Sequence, residues 1–137
     1  LKLASKLKVP VDRKLVYLGA MLHDIGRFKC PPGPKSVWHG VAGANILRKE
    51  GYPKLALICE RHLGAGITKH EAKKHGLPPR DYLPETLEEK LVCYADKLVD
   101  ASREITFEQT KQRFLKELGS EVAERLQRLH DELQKLM

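Results

Sequence analysis

The dipeptide His-Asp occurs twice in the 137-residue chain, at His23-Asp24 and at His130-Asp131. The first pair ends an apolar stretch over residues 15–25, which predicts a central, buried helix. An unpaired buried polar group costs roughly 1–3 kcal/mol, and an unpaired charge costs more. Either a neighbouring hydrogen bond or a bound metal ion would satisfy this pair. The second pair stands among charged and amide side chains, so we expect it to face the solvent.

Three further residues could complete a metal site with the first pair. Adjacent side chains on a helix point about 100° apart, so the pair would hold an ion between helices rather than alone. Asp96 follows an apolar helical face, and a buried salt bridge, for instance to Lys97 or an arginine, is the alternative to a ligand role. His39 and His62 are the other candidates, although a histidine taken alone is more often a core or surface residue. Imidazole and carboxylate ligands together suit Mn, Fe, Co, Ni or Zn better than Ca or Mg.

Helix packing must bring these side chains together, because the whole chain has helical patterning. The predicted helices run from Arg13 (capped by Asp12) to about Ile25, from near His39 to Gly51, from Pro53 to His62 and Gly64, from the Thr68–Glu71 capping box to Gly76, from the Thr86–Glu89 box through Ser102, from the Thr106–Gln109 box to Gly119, and from Ser120 to the C-terminus. Three prolines and a glycine exclude helix from residues 29–34. No segment alternates like a strand, so the expected fold class is all-α.

The last helix carries an apolar seam that needs a partner. Its residues repeat at 4-3-4-3 spacing: Val122, Leu126, Leu129, Leu133 and Leu136. We expect this seam to pack on the body of a single domain formed by residues 1–137, since that length fits one domain. Pairing with a second copy of the chain, as a homo-oligomer, is the alternative. His70 and His75 lie among lysines and are expected to face the solvent.

Composition excludes several classes of protein. Apolar residues make up 42% and charged residues 31%, so the chain is neither disordered nor fibrous. No apolar run approaches the ~20 residues that cross a bilayer, and a signal-peptide pattern is absent, so no membrane partner is expected. Three cysteines without a Cys-x-x-Cys pair predict a cytoplasmic protein without disulfides.

The positive charge is concentrated in the first part of the chain. The net charge of +7 arises entirely in residues 1–60, which carry 11 Lys and Arg against 4 Asp and Glu. This asymmetry suggests a polyanionic partner such as a nucleotide, a nucleic acid or a phosphate ester. A lysine-rich solvated surface is the plainer interpretation of the same charge.

The sequence Met-Leu-His-Asp-Ile-Gly-Arg, from Met21 to Arg27, resembles the signature of the HD superfamily of metal-dependent phosphohydrolases. That family is all-α, with the ligand order histidine, His-Asp and a distal aspartate, which Asp96 resembles. Trp38-His39 and Arg61-His62 resemble the two extra histidines of its two-metal members. The resemblance covers about residues 1–102. It extends to HD-type diadenosine tetraphosphate hydrolases, and the sequence resembles small archaeal and bacterial HDIG-domain proteins more than it does those hydrolases.

The resemblance implies a phosphomonoesterase or phosphodiesterase that acts on a nucleotide or related phosphate ester through metal-activated water. His23, Asp24 and Asp96 would hold one divalent ion, and His39 and His62 would hold a second, bridged by Asp24. The candidate catalytic residues are Asp24 and, as cations for the phosphate, Arg27 and Lys97. Arg61 is a weaker candidate, for which we favour ordinary surface charge or an internal pair.

Three regions depart from the family pattern. The first histidine of the family is absent, and we expect it on a helix upstream of Leu1. Residues 65–85 are an insertion relative to the diadenosine hydrolases, and residues 103–137 add two helices that could reshape the pocket. The alternative function is a nucleotide-sensing or nucleic-acid-binding HD module without turnover, which the basic first part of the chain supports.

Overall fold

The computed structural model describes residues 2–28, 38–100 and 103–137. The elements in these ranges are α1 (Arg13–Leu22), α2 (His39–Lys49), α3 (Pro53–Glu60), α4 (Lys69–Lys74), α5 (Leu87–Asp96), β1 (Val99–Asp100), β2 (Arg103–Glu104), α6 (Phe107–Leu118) and α7 (Ser120–Lys135), with 3₁₀ turns at Ala4–Lys6 and Ile25–Phe28. The predicted all-α class is confirmed. The pattern gave no sign of the short antiparallel pair of β1 with β2, in which Val99 faces Glu104. The predicted proline-rich loop 29–34 lies outside the described residues.

Side-chain caps begin the helices where the sequence predicts them. Asp12 accepts a hydrogen bond of 3.0 Å from the amide of Leu15 at the start of α1. Complete capping boxes begin α4 and α6: Thr68 with Glu71 and Thr106 with Gln109. The predicted box of α5 is only half formed. The hydroxyl of Thr86 accepts from the amide of Glu89, whereas the Glu89 carboxylate accepts from Arg61 and from the amide of Glu85, the residue before the cap.

Three helices end earlier than predicted. α1 ends at Leu22, α3 at Glu60 and α5 at Asp96, so the candidate ligands occupy helix ends and the turns that follow. The apolar pattern continues past each end at Ile25, Leu63 and Leu98. These three side chains pack into separate core clusters from backbone that lies outside the α-helices, so periodicity alone places the boundaries too late.

The apolar seam of α7 packs on the body of the domain, as expected. Leu126 contacts the cluster that contains Phe114 of α6, and Leu133 contacts the cluster that contains Tyr94 of α5. Both leucines are fully buried. The packing therefore fixes α6 and α7 against the helix that ends at Asp96.

The prediction that His130 is a solvated surface residue is wrong. Its ring stacks on Phe107 with 3.9 Å between centroids, and its Nδ1 lies 2.6 Å from the hydroxyl of Tyr94. Position 130 borders the apolar seam, so the ring fills the space between α5 and α6. Asp131 is exposed, as expected, and accepts a hydrogen bond from Gln127 on its own helix.

The remaining expectations concern histidines, thiols and membrane segments. His70 and His75 are exposed, as predicted. Cys59 and Cys93 are buried free thiols, in keeping with the expected absence of disulfides, and Cys30 lies outside the described residues. No helix in the described part of the chain is both long enough and apolar enough to cross a membrane.

Candidate metal centre

The five candidate ligands line a single pocket of about 1040 Å³. His23 and Asp24 follow α1, His39 begins α2, His62 comes two residues after α3, and Asp96 ends α5. Four separate segments thus contribute to one site. Because His23, Asp24 and His62 lie in the turns after α1 and α3, their side chains do not follow the helical spacing and can point toward the same place.

The ligand atoms form two overlapping groups. His23, His62 and Asp96 offer three atoms that all lie within 4.8 Å of one another, and Asp24, His39 and His62 offer a second such group. Nε2 of His39 is 3.0 Å from Nε2 of His62 and 3.1 Å from Oδ1 of Asp24. The sequence analysis assigned His62 to a single ion, whereas the geometry gives it to both groups.

Asp24 lies between the two groups. Its Oδ2 is 3.3 Å from Nε2 of His23, while its Oδ1 faces His39 and lies 3.4 Å from Nε2 of His62. This is the position from which one carboxylate can bridge two sites. The predicted full burial of the pair is wrong, because α1 buries only one side and leaves Met21 65% exposed. The Asp24 side chain is 43% exposed, so a ligand can reach it from the pocket.

Main-chain carbonyls fix the ring orientation of two histidines. Nδ1 of His23 donates to the oxygen of Ala20 at 2.7 Å, and Nδ1 of His62 donates to the oxygen of Cys59 at 2.5 Å. A carbonyl only accepts, so in the neutral ring Nε2 carries a free lone pair. Nε2 of His23 faces the carboxylates of Asp24 and Asp96. Such a convergence of lone pairs requires a proton or a cation, and metal-binding histidines commonly have this outer hydrogen bond. The donor set therefore fits a divalent metal ion.

The protonation states agree with this interpretation. Burial lowers the pKa of His23, but the hydrogen bonds and charges of Asp24 and Asp96 outweigh it and raise this pKa to about 10. Burial lowers the pKa of His62 to about 4. Burial raises the pKa of Asp96, but its hydrogen bond from His23 and the charge of Lys97 bring it well below its usual range. Hydrogen bonds, first from His23, hold the pKa of Asp24 far below its usual range. At neutral pH both carboxylates are ionised and His62 is neutral, as ligands must be, whereas His23 carries a proton between the two carboxylates that a metal ion would displace on binding.

Lys97 is buried beside the site, and its ammonium is occupied by the protein. It donates to Oδ2 of Asp96 at 2.8 Å, to the main-chain oxygen of His62 at 2.6 Å and to that of Cys93 at 3.4 Å. A lysine has three N–H donors, so none remains for a phosphate. The geometry thus makes Lys97 a positioning residue rather than the phosphate-binding cation predicted from the sequence. The salt bridge to Asp96, considered there as an alternative, is present.

The two arginines of the sequence analysis differ in position. Nε of Arg27 is 3.3 Å from Oδ1 of Asp24, and the Arg27 side chain is 45% exposed and lines the pocket. Arg61 makes an internal ion pair of 2.6 Å with the buried Glu89, which is one of the two alternatives to phosphate binding that we favoured for it. Arg27 is therefore the accessible cation beside the candidate ligands.

Two supporting residues were missed by the sequence analysis. The thiol of Cys59 donates to the main-chain oxygen of His23 at 3.1 Å, which ties α3 to the turn after α1. A Cβ on Gly26 would overlap the carbonyl oxygen of His39 and lie 2.5 Å from the amide nitrogen of Gly43. Only glycine therefore allows this turn to approach α2. The signal available in the sequence was a glycine two residues after Asp24 together with glycines in α2.

Comparison with known proteins places this geometry in a family. The HD domain matches residues 1–101 of the chain. An uncharacterised protein of Methanocaldococcus jannaschii is 48% identical over 141 aligned residues, which cover the whole chain and 81% of that protein. No solved structure matches the chain.

Two further relatives are longer proteins. A tRNA (cytidine(56)-2'-O)-methyltransferase of Picrophilus torridus is 46% identical over 91% of the chain, and one of Thermoplasma volcanium is 41% identical over 95%. The chain spans 36% and 38% of the length of these two proteins.

Proposed function

Because the chain belongs to the HD domain family, a superfamily of metal-dependent phosphohydrolases, we propose that it hydrolyses a phosphomonoester or phosphodiester of a nucleotide or related compound. The observation that supports this is the convergence of three imidazoles and two carboxylates in one open pocket. Hydrogen bonds to carbonyls direct the lone pairs of two of these rings toward the same space. Two ionised carboxylates and three imidazoles beside an open pocket are not required to stabilise the fold, which supports a role in binding a cation.

The ligand groups suggest a division of roles. His23, His62 and Asp96 would hold one ion, while His39 and Asp24, with His62, would hold an ion on the other side. When bound, a divalent transition metal such as Mn, Fe, Co, Ni or Zn supplies a water of lowered pKa and polarises the phosphoryl oxygens.

Arg27 completes the binding of an anionic substrate. Its exposed guanidinium is paired only with the half-exposed Asp24 among the described residues, so it can turn toward a phosphate. The planar fork of an arginine matches phosphate oxygens with two hydrogen bonds. When Arg27 turns to a substrate, its ion pair with Asp24 would weaken. A metal ion bound to Asp24 would compensate for this loss of positive charge.

A substrate panel tests the proposal. Purified protein supplied with Mn²⁺ or Co²⁺ should hydrolyse bis(4-nitrophenyl) phosphate or at least one member of a panel of nucleotides that includes diadenosine tetraphosphate. A chelator and the Asp24→Asn variant should each abolish turnover, and Asp131→Asn, in the other His-Asp pair, should retain it. The hydrolase proposal fails if no compound is turned over with any of the five metals.

A second candidate function is a nucleic-acid-binding module without turnover. Two relatives that are named as tRNA methyltransferases contain a region similar to nearly the whole of this chain. The net charge of +7 in residues 1–60 is of the sign that a phosphate backbone attracts. Titration of tRNA at increasing salt distinguishes the two candidates. Binding that weakens steeply with salt, without hydrolysis, favours this module, and absence of binding at low salt removes it.

A further inference from the structure

The pocket extends well beyond the candidate ligands, to a helix outside the residues that match the family. Arg113, Phe114 and Leu118 of α6 line the same pocket as the histidines, whereas the family match ends at residue 101. The volume of about 1040 Å³ is at the upper limit of small-molecule sites, which span roughly 300–1,000 Å³. A simple phosphomonoester would fill only part of this space.

The helix α6 is anchored directly to the metal centre. The hydroxyl of Thr110, which is fully buried, donates a hydrogen bond of 2.6 Å to the main-chain oxygen of Lys97, the residue after Asp96. Phe114, 5% exposed, is held in a core cluster that includes Leu126 of α7. Arg113 lies between these two anchors. The backbone of Arg113 is therefore fixed relative to the candidate metal ligands, and its side chain lines the pocket at a defined position.

Arg113 is half-buried and has no carboxylate within 4.0 Å among the residues that the structure describes. Its guanidinium carbon lies 5.9 Å from the ring centre of Phe114, a contact that leaves its N–H donors available. Other cationic side chains that line the described part of the pocket are Lys2, Lys6, Arg27 and Lys97, of which Lys97 is already held by its protein acceptors. Glu104 is the one described lining acid apart from the candidate ligands. The walls away from the ligands are thus predominantly cationic.

We propose that Arg113 is a specificity residue that binds a second phosphoryl group of the substrate while the first lies at the metal centre. The substrate class is then a nucleotide that carries two phosphoryl groups, and not a simple monophosphate. This inference rests on the proposed function for the location of the first phosphate. An arginine at this place supplies two parallel hydrogen bonds and a permanent charge, which suit a phosphate better than a neutral group.

Calorimetric titration in the presence of Mn²⁺ tests the inference without requiring turnover. The probes are adenosine 5′-monophosphate, adenosine diphosphate and adenosine 3′,5′-bisphosphate. Wild-type protein should bind one of the two-phosphate probes at least about tenfold more tightly than the monophosphate. Arg113→Gln should remove this preference and change the monophosphate affinity by less than about twofold, and Arg113→Lys should retain part of it.

Arg128→Gln is the matched control, because Arg128 is exposed on α7 and does not line the pocket; it should keep the preference. A wild type without preference, or an Arg113→Gln variant that keeps it or weakens the monophosphate equally, overturns the inference. Metal content and the substrate panel are measured on the same samples. Preference without hydrolysis refutes only the hydrolase proposal, and hydrolysis with an unchanged preference in Arg113→Gln refutes only the role of Arg113.

Discussion

The ammonium group of Lys97 donates a hydrogen bond of 2.6 Å to the main-chain oxygen of His62. The same nitrogen lies 2.8 Å from Oδ2 of Asp96. One buried cation thereby sets the distance between two candidate ligands that are 34 residues apart in the sequence. The positive charge of Lys97 also offsets part of the negative charge of the Asp96 carboxylate, which faces the pocket.

Replacement of Lys97 by methionine should weaken metal binding. Met fills a similar volume but leaves the His62 carbonyl and Asp96 without their donor, and loss of such outer partners typically lowers metal affinity about 10–100-fold. We also expect a loss of about 1–3 kcal/mol in the free energy of unfolding. Metal titration and urea denaturation measure the two effects.

The control for this variant is Lys90→Met, on α5, the helix that Lys97 directly follows. Lys90 makes a surface ion pair of 2.6 Å with Glu132, and such pairs contribute less than about 1 kcal/mol. Metal affinity should be unchanged in this control. Wild-type metal affinity in Lys97→Met would contradict the positioning role of Lys97.

Gly26→Ala should disrupt the metal centre through the backbone. The new methyl group would overlap the carbonyl oxygen of His39, so the turn that carries Asp24 must move away from α2. We expect a loss of several-fold or more in metal affinity together with a lower melting temperature. Gly76→Ala is the control, because its Cβ meets no atom within 4 Å and only its positive φ of 71° costs energy, about 1 kcal/mol. Equal metal affinities in the two variants would show that the close approach is unimportant.

Acid should weaken the attachment of α4 to α7. Burial raises the pKa of Glu71, but hydrogen bonds from Arg125, at 2.9 and 3.3 Å, outweigh it and lower this pKa below its usual value. A carboxyl whose pKa is lowered by folding stabilises the protein above its unfolded pKa, and this stabilisation is lost as the pH falls through the folded pKa. Glu71→Gln should therefore cost about 1 kcal/mol at neutral pH and nothing in acid.

Urea denaturation of the wild type and Glu71→Gln at about pH 7 and about pH 3 measures this difference. Glu132→Gln is the control, because the Glu132 side chain is 49% exposed and should matter little at either pH. A Glu71→Gln difference that does not shrink at low pH would show that the ion pair is not its source.

The sequence indicated His23, Asp24 and Asp96 as candidate ligands because their types are costly in apolar surroundings, whereas the ligand roles of His39 and His62 came from the resemblance to the HD superfamily. His23 and Asp96 follow apolar helical faces, and only a shared site makes such positions favourable. The helix starts were equally predictable, since a cap such as Thr106 acts on an amide three residues away.

The features that the sequence did not predict depend on contacts between distant segments. One donor of Lys97 binds the main-chain oxygen of His62, and these two groups lie close together only because α3 packs against α5. His130 has a polar neighbourhood in sequence but an aromatic one in space, because Phe107 comes from another helix. α5 ends at Asp96, and Val99 then pairs with Glu104 in a strand of two residues, which is too short to leave a periodic pattern in the sequence.

Elemental analysis of purified protein tests the metal centre most directly. Asp24 contacts both ligand groups, so wild-type protein should contain a divalent transition metal and Asp24→Ala should lose it. Asp131→Ala, which replaces the exposed aspartate of the second His-Asp pair, should keep the wild-type content. Wild-type metal content in the Asp24→Ala protein, or no metal bound by the wild type even after incubation with each candidate ion, would contradict the account.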